Sequence, residues 1–478
     1  MAAAETSPID APLETPALPL AAAVVVYALL LLFGERLLND PDTYWHIAAG
    51  RWTWAHGAVP ATDPFSATMM GAPWVAHEWL AELLFAGAYG ALGWAGAVAL
   101  AALAAAASLA LLIRALARFV APPLALAAGA MAFLLMAAHL TARPHALALP
   151  ILVAWAAALV RARAEDRRPS LWLLPLMVLW ANLHGGFVVG LGLAGALALE
   201  AVLLAPDAAA RGSALRGWGV FLLGVAIASL ITPQGIEGWR FPFHLMSMSF
   251  ALSFVSEWHA PDFTTLQPLE LWLLALLAFA FTIGLRVPPF RLLLLAGLVH
   301  MALSHIRNAE LLALLAPLVL AEPTAAVLER RQAQEAAPAG PRSLAVLGLV
   351  AMLLTAAAAY RGYAHENPKI APAAALAAAE KAGLSGIVFN EYDFGGYLIF
   401  RGIAPFVDGR IDLYGDAFMR AYSAALDAEG DALPRLLDRA KVRWTLLRPD
   451  TAGVAALDRL PGWERVYADS AAVVHRRR

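Results

Sequence analysis

The chain has 478 residues, of which 61% are hydrophobic and only 15% charged, and its mean hydropathy is +0.66. These values exclude an ordinary soluble enzyme and predict a polytopic α-helical membrane protein. The near balance of 34 basic and 36 acidic residues argues against a nucleic-acid-binding protein, and the lack of cysteine excludes disulfides and thiolate metal sites.

Apolar segments long enough to cross a bilayer recur along the first three quarters of the chain. A spanning helix needs about 20 mostly apolar residues. About eleven segments are predicted to span: 18–38, 94–113, 122–140, 145–160, 170–182, 187–204, 218–232, 269–285, 291–304, 309–321 and 343–361. The segments 170–182 and 291–304 are short, so each can also be a buried or re-entrant helix.

The loops between these segments differ in arginine content, which predicts their side of the membrane. One set holds most of the arginines: Arg114, Arg118, Arg161, Arg163, Arg167, Arg168, Arg211, Arg216, Arg286, Arg291, Arg330, Arg331 and Arg342. The positive-inside rule assigns this set to the cytoplasm, with the N-terminus inside and the C-terminal domain outside. The acidic leader with Glu5, Asp10 and Glu14 argues the other way, and the later loops outweigh it.

With this topology, nearly every unusual polar cluster falls at an outward helix end. The first outer loop, 39–93, contains Asp40, Asp42, Tyr44, His46, Arg51, His77 and Glu78. The later outward pieces contain Arg143, His145, Asn182, His184, Glu257, His305, Arg307 and Asn308. Transporters more often place ionisable groups near the bilayer midplane, so this distribution favours a catalytic or binding cleft at one membrane face.

Two carboxylates directly follow the first predicted span. Asp40 and Asp42 are separated by Pro41, whose ring restricts the turn. Two acids held close together can differ in protonation, so that one acts as a base and the other orients a group or binds a metal. The alternative is a helix cap. A helix predicted over 76–90 would also place Glu78 and Glu82 one turn apart on one side.

The first outer loop resembles that of the GT-C superfamily of membrane glycosyltransferases. Asp40, Tyr44, Ile47 and Ala48 stand at the family spacing, and Gly71-Ala72-Pro73-Trp74 followed by His77 is similar to a later family motif. The chain departs from the family at Pro41 and at Glu78-Trp79, which indicates an outlying bacterial branch. The resemblance covers roughly a quarter of the chain, and its motifs are short.

The resemblance implies a sugar donor linked to polyprenyl phosphate, used at the outer face of a bacterial inner membrane. It implies that Asp40 deprotonates or orients the acceptor, which can be a glycan, a lipid or a protein. The leaving phosphate needs cationic donors. The candidates are Arg143, Arg307, His77, His145, His184 and His305. The alternative for the arginines is anchoring at the membrane surface.

A divalent metal such as Mg²⁺ or Mn²⁺ is a further hypothesis for the outer loops. Ligands of suitable type are present at His46, His77, His145, His184 and Asp42. They lack the tight spacing of a metal motif on one element, and the GT-C relatives include both metal-dependent and metal-free members. The sequence therefore leaves a metal undecided.

The last part of the chain, 362–478, predicts a small extracytoplasmic α/β domain after a membrane module over 1–361. Strands are predicted at 387–389, 405–407 and 443–447, with a closing hairpin over 463–475. If the first two strands are parallel neighbours, their following loops meet at one sheet edge. Glu391, Asp393, Asp408, Arg410 and Asp412 are then candidates for binding the acceptor or closing the cleft, with helix caps and turns as the alternative.

The sequence thus predicts a membrane glycosyltransferase. Two other hypotheses stay open at this point. A transporter or flippase for a lipid-linked saccharide would use the same cleft, with polar residues continuing across the bilayer. A non-catalytic scaffold of the cell envelope would have kept the fold without the chemistry.

Overall fold

Every apolar segment predicted to span contains a helix in the computed structural model, which describes residues 17–329, 340–363, 365 and 367–478. The helices are α1 Ala17–Leu32, α2 Asp42–His56, α3 Trp79–Leu92, α4 Trp94–Leu116, α5 Pro122–Ala137, α6 Pro144–Ala164, α7 Leu174–Leu183, α8 Phe187–Leu203, α9 Ala208–Ser229, α10 Ile236–Met246, α11 Pro268–Ile283, α12 Pro289–Ser304, α13 Ala309–Val327 and α14 Pro341–Arg361. The N-terminal leader and its acidic residues lie outside the described residues, as do Arg330 and Arg331.

Five helices of the described chain are long and apolar enough to cross a membrane by length and composition. They are Trp94–Leu116, Pro144–Ala164, Ala208–Ser229, Ile306–Val327 and Pro341–Arg361. Seven further apolar helices have 10–17 residues. The protein is therefore a helical membrane protein, and the number of eleven spans stays a prediction.

Proline and alanine explain much of the helical bundle. Proline occupies the first or second position of α5, α6, α7, α11, α12 and α14, where its missing N–H leaves no hydrogen bond unmade. The central helix is α4, which contacts α1, α3, α5, α6, α13 and α14. Its buried alanines, among them Ala97, Ala101 and Ala105, let these neighbours approach closely.

The C-terminal residues form a four-stranded sheet with flanking helices. The strands are β1 Val388–Asn390, β2 Trp444–Leu447, β3 Trp463–Ala468 and β4 Val473–Arg477, and the helices are α15 Ala373–Lys381, α16 Gly395–Phe400, α17 Ile411–Leu426, α18 Ala432–Arg439 and α19 Ala452–Leu457. The strand order is β1-β2-β4-β3. β1 and β2 are parallel, whereas β4 is antiparallel to both β2 and β3.

Two elements predicted from the sequence are wrong. Residues 405–407 are not a strand: the side-chain amide of Asn390 binds the N–H of Phe406 and the carbonyl of Val407, and the carbonyls of Pro405 and Phe406 accept hydrogen bonds from the first outer loop. The helix predicted over 76–90 begins only at Trp79, so Glu78 precedes it. Both segments are shaped by contacts with parts of the chain distant in sequence.

One arginine assigned to a cytoplasmic loop is instead buried. Arg291 lies in the first turn of α12, and its Nε donates to both carboxylate oxygens of Glu200 at 3.0 and 2.9 Å. A second carboxylate, Glu322, lies 3.5 Å from its Nη2. These three side chains link α8, α12 and α13 at one end of the bundle, and the polar clusters predicted to face outward lie at the other.

Candidate functional site

A cavity of about 720 Å³ lies at the end of the bundle opposite Arg291. Its walls come from the first outer loop, the adjacent ends of α6, α7, α8, α12 and α13, α10 with the connection that follows it, and the start of α17 with the residues before it. The predicted site residues that line it are Asp40, Asp42, His77, Glu78, Arg143, His145, His184, Glu257, His305, Arg307, Asn308, Arg410 and Asp412. Side chains from seven separate stretches of sequence therefore meet in one space.

The carboxylate pair of the first loop is fixed by the start of α2. Asp40 Oδ1 accepts a hydrogen bond from the backbone N–H of Asp42, the first residue of α2, at 2.9 Å. Asp42 Oδ1 accepts from Trp45 Nε1 at 2.9 Å. The remaining oxygen of each carboxylate faces Arg143, at 3.3 Å from Asp40 and 2.9 Å from Asp42. One oxygen of each carboxylate is thus held at the start of α2, while the other faces Arg143.

Glu257 joins the two arginines of the cavity. Its Oε2 lies 3.3 Å from Arg143 Nη1 and its Oε1 lies 3.1 Å from Arg307 Nη1. The guanidinium of Arg307 also stands over the ring of Trp258, 4.7 Å from the centroid. The result is a group of two guanidiniums and three carboxylates along one wall.

Imidazoles surround a different carboxylate on the other wall. Glu78 lies 3.5 Å from His184, 3.7 Å from His77 and 3.9 Å from His46. His46 Nδ1 is 3.3 Å from Glu82, behind the cavity wall. Helices α2 and α3 can come this close because a side chain at Gly50 would collide with the carbonyl of Glu82.

The carboxylates of the cavity differ in charge state, even where two of them face the same arginine. Burial raises the pKa of Glu78 and of Asp42 to about 7, although Arg143 acts against burial in both. Burial also raises the pKa of Asp412 to about 6, against the influence of His77. For Glu257 burial is outweighed by Arg143 and Arg307, which lower its pKa to about 2. Near neutral pH the cavity therefore contains both a permanently ionised carboxylate and carboxylates able to exchange protons.

The C-terminal residues build part of the same cavity. Arg410 is buried and donates to Asp63 of the first loop at 2.6 Å and to both oxygens of Asp408 at 2.8 Å. Between them, Gly409 packs directly on the carboxylate of Asp42, where an added Cβ would collide. The segment from Gly409 to Asp412 thus forms one wall beside the catalytic candidates.

Other predicted cleft residues lie outside the cavity. Tyr44 is buried among aromatic rings and stacks on His365. His46 is buried behind Glu78, and Arg51 packs over the rings of Tyr89 and Phe400. Asn182 accepts from Trp79 Nε1 and donates to the carbonyls of Val178 and Ile231. The prediction that these four side chains line the cleft is therefore wrong. Asn182 is held by hydrogen bonds, and the other three are packed against neighbouring side chains.

Three acidic residues predicted on the acceptor side are also absent from the cavity wall. Asp393 pairs with Arg448 at 2.5 Å, and Glu391 accepts from Thr451 at 3.4 Å. Asp408 binds Arg410 and also accepts from the hydroxyl of Tyr414 at 2.6 Å. Asp393 and Glu391 follow β1, but the absence of a parallel strand at 405–407 removes the shared sheet edge on which the prediction depended.

Three ionisable residues of the cavity are not among those predicted from the sequence. His139, His300 and Glu310 line it, and Glu310 lies 3.7 Å from His145. All three lie within apolar segments predicted to span, close to the ends that line the cavity. An ionisable residue inside an apolar span is by itself a sign of function, and that sign would have identified them.

The described residues contain no group of three or more His, Asp or Glu side chains arranged to hold a metal ion. Asp40, Asp42 and Glu257, which would be the strongest oxygen ligands, all face Arg143 instead. These carboxylates are paired with a guanidinium, and in this arrangement they do not fit the divalent metal considered from the sequence.

No protein-family model and no curated protein matches the sequence. Solved structures do match. ArnT from Cupriavidus metallidurans in the apo state aligns with a TM-score of 0.52 at 15% identity, over 96% of this chain and 97% of that chain. The same protein bound to undecaprenyl phosphate aligns with a TM-score of 0.45 at 14% identity, over 96% and 97%. The Archaeoglobus fulgidus oligosaccharyltransferase complexed with Zn and sulfate aligns with a TM-score of 0.49 at 12% identity, over 89% and 68%.

The apo ArnT alignment shows that the two chains share a fold. It confirms, at the level of the fold, the resemblance to GT-C membrane glycosyltransferases inferred from the first outer loop.

Proposed function

We propose that this protein is a membrane glycosyltransferase that moves a sugar from a polyprenyl-phosphate donor to an acceptor. The observation that carries the proposal is the meeting of Arg143 and Arg307 with Asp40 and Asp42 in one cavity, in a chain with the ArnT fold. Guanidiniums suit the leaving phosphate, and carboxylates suit the nucleophile.

The reaction follows from these two kinds of group. The acceptor attacks the anomeric carbon while the bond from that carbon to the phosphate oxygen breaks, and the polyprenyl phosphate leaves with the electron pair. Arg143 and Arg307 stabilise the negative charge that develops on the phosphate. Asp40 and Asp42 orient the acceptor, and a cavity carboxylate receives its proton. Acceptor class and sugar identity stay open within the proposal.

The packing below the cavity supports a transferase over a transporter. The inner half of the bundle is filled by buried apolar side chains, among them Trp155, Leu314 and Leu318. Beneath them lies the buried pair of Arg291 and Glu200. A saccharide crossing the bilayer would have to part these side chains, whereas a lipid donor needs access from the cavity end alone.

The side of the membrane follows from the arginine distribution. We place the cavity and the C-terminal residues 362–478 on the extracytoplasmic face of a bacterial inner membrane, because the arginine-rich loops lie at the opposite end.

The lipids that co-purify with the protein test the proposal. Mass spectrometry of the wild type is expected to find a polyprenyl phosphate or its sugar conjugate, and Arg143→Gln should lose it. Arg240→Gln is the matched control, because Arg240 is also paired with a glutamate, Glu237, but lies exposed outside the cavity. Equal retention of the lipid by Arg143→Gln and Arg240→Gln, or none in the wild type, would refute the donor site.

A further inference from the structure

The carboxylate of Glu257 lies where a bound phosphate would be expected. Its two oxygens face two different guanidiniums, at 3.3 Å from Arg143 and 3.1 Å from Arg307. A phosphate also has several acceptor oxygens and forms strong charge-assisted hydrogen bonds with arginine, so it can bridge the two guanidiniums as this carboxylate does. We infer, on the basis of the proposed function, that Glu257 occupies the phosphate subsite of the ligand-free protein and that the phosphate of the donor binds by displacing it.

The charge of this wall favours a phosphate that replaces Glu257 over a phosphate that binds in addition to it. Arg143 and Arg307 supply two positive charges, and Asp40, Asp42 and Glu257 supply up to three negative ones. A phosphate added to this group would increase the excess of negative charge in a partly buried site, which is unfavourable. The phosphodiester of a sugar-linked donor carries one negative charge, as Glu257 does, so its binding in place of Glu257 leaves the local charge balance of the guanidiniums unchanged.

Of the three carboxylates, Glu257 is the one that can leave. Asp40 is bound by the backbone of Asp42, and Asp42 is bound by Trp45. Within the described residues, the ion pairs and hydrogen bonds of the Glu257 carboxylate go to the two arginines alone.

The backbone around Glu257 also allows movement. It lies in the short 3₁₀ turn Ser256–Trp258, in the connection between α10 and α11, and its side chain is 29% exposed. Rotating the Glu257 side chain away from the arginines therefore disrupts no long helix. Arg143 would stay in place, because Asp40 and Asp42 continue to hold it.

Binding of undecaprenyl phosphate to the full-length protein in lipid nanodiscs tests the exchange. Glu257→Gln is expected to bind the probe about tenfold more tightly than the wild type, because two partly exposed ion pairs no longer have to be broken. Glu237→Gln removes the same charge from an exposed arginine pair outside the cavity, at 2.7 Å, and should leave the affinity unchanged.

Two further probes separate the phosphate group from the lipid. Undecaprenol, which has no phosphate, should bind equally to the wild type and to Glu257→Gln. Inorganic phosphate should compete with undecaprenyl phosphate at lower concentration in Glu257→Gln than in the wild type. A gain seen with undecaprenol as well would show that the substitution opens the lipid path, and it would overturn the exchange.

Glu257→Asp keeps the charge but shortens the reach, so it should give an intermediate affinity, and it serves as the second variant if Glu257→Gln does not fold. Unchanged or weaker binding by both variants would show that Glu257 holds the guanidiniums in position, which overturns the inference alone. Failure of the wild type to bind undecaprenyl phosphate better than Arg143→Gln would refute the donor site, and the inference with it.

Discussion

Replacing Arg410 tests whether the C-terminal residues are a structural part of the site. The side chain is fully buried and donates to Asp63 at 2.6 Å and to both oxygens of Asp408 at 2.8 Å. Its guanidinium also lies 4.8 Å from the ring centroid of Trp74. The substitution Arg410→Met keeps much of the volume and removes the charge, so that two buried carboxylates lose their common partner.

The expected loss of stability is large. Removing one partner of a buried ion pair costs about 3–5 kcal/mol, because the remaining charge stays buried without compensation. Here the two carboxylates belong to different parts of the chain, Asp63 to the first outer loop and Asp408 to the C-terminal segment. The first effect should therefore be separation of these two segments, with loss of the cavity wall beside Asp42.

Tryptophan fluorescence during thermal unfolding of the purified protein measures this effect, with Trp74 close to the altered side chain. Arg435→Met is the matched control, because Arg435 forms an exposed ion pair with Asp431 one helical turn away and such a pair contributes about 0.3–0.5 kcal/mol. If Arg410→Met unfolds at the same temperature as Arg435→Met, the buried network does not hold the two segments together.

Other predictions concern the cavity itself. Asp40→Asn should abolish transfer while leaving folding intact, measured as product formation beside an unchanged unfolding temperature; full activity would refute a catalytic role. Transfer should rise roughly tenfold from pH 6 to pH 8, because the pKa of Glu78 is about 7 and only the ionised form accepts a proton. A pH profile of Glu78→Gln that keeps this rise would assign it to Asp42, whose pKa is also about 7. Gly409→Ala should lower transfer by displacing Asp42, with wild-type activity contradicting the close packing.

The membrane part could be predicted well because its rule is simple. Helix ends alternate between the two faces of a bundle, so a polar residue next to an apolar segment can be assigned to one end without knowing the packing. Asp40 and Arg143 were assigned to the same end in this way, and the structure places them 3.3 Å apart. Their pairing itself depends on which helices are neighbours, which hydropathy does not show.

Residues inside apolar segments were harder to assign. His300 and Glu310 were counted as parts of predicted spans, although both line the cavity. Conversely, Asn182 and Tyr44 stand beside polar motifs, yet neither lines the cavity. Asn182 accepts a hydrogen bond from Trp79, and Tyr44 stacks on His365. A helix end has an inner and an outer side, and the sequence alone does not show which side meets the cavity.

The C-terminal residues show where prediction from local patterns fails. The apolar triplet at 405–407 has the composition of a short strand, but Asn390 and the first outer loop satisfy its backbone groups. The same loop supplies Asp63 to Arg410, from 347 positions away along the chain. The site is therefore completed by the contact between the first outer loop and the segment around Arg410. Neither the predicted spans nor the predicted domain boundary indicates that these two segments meet. The residues after α14 cannot be treated as a separate cover, because Gly409 touches the carboxylate that pairs with Arg143.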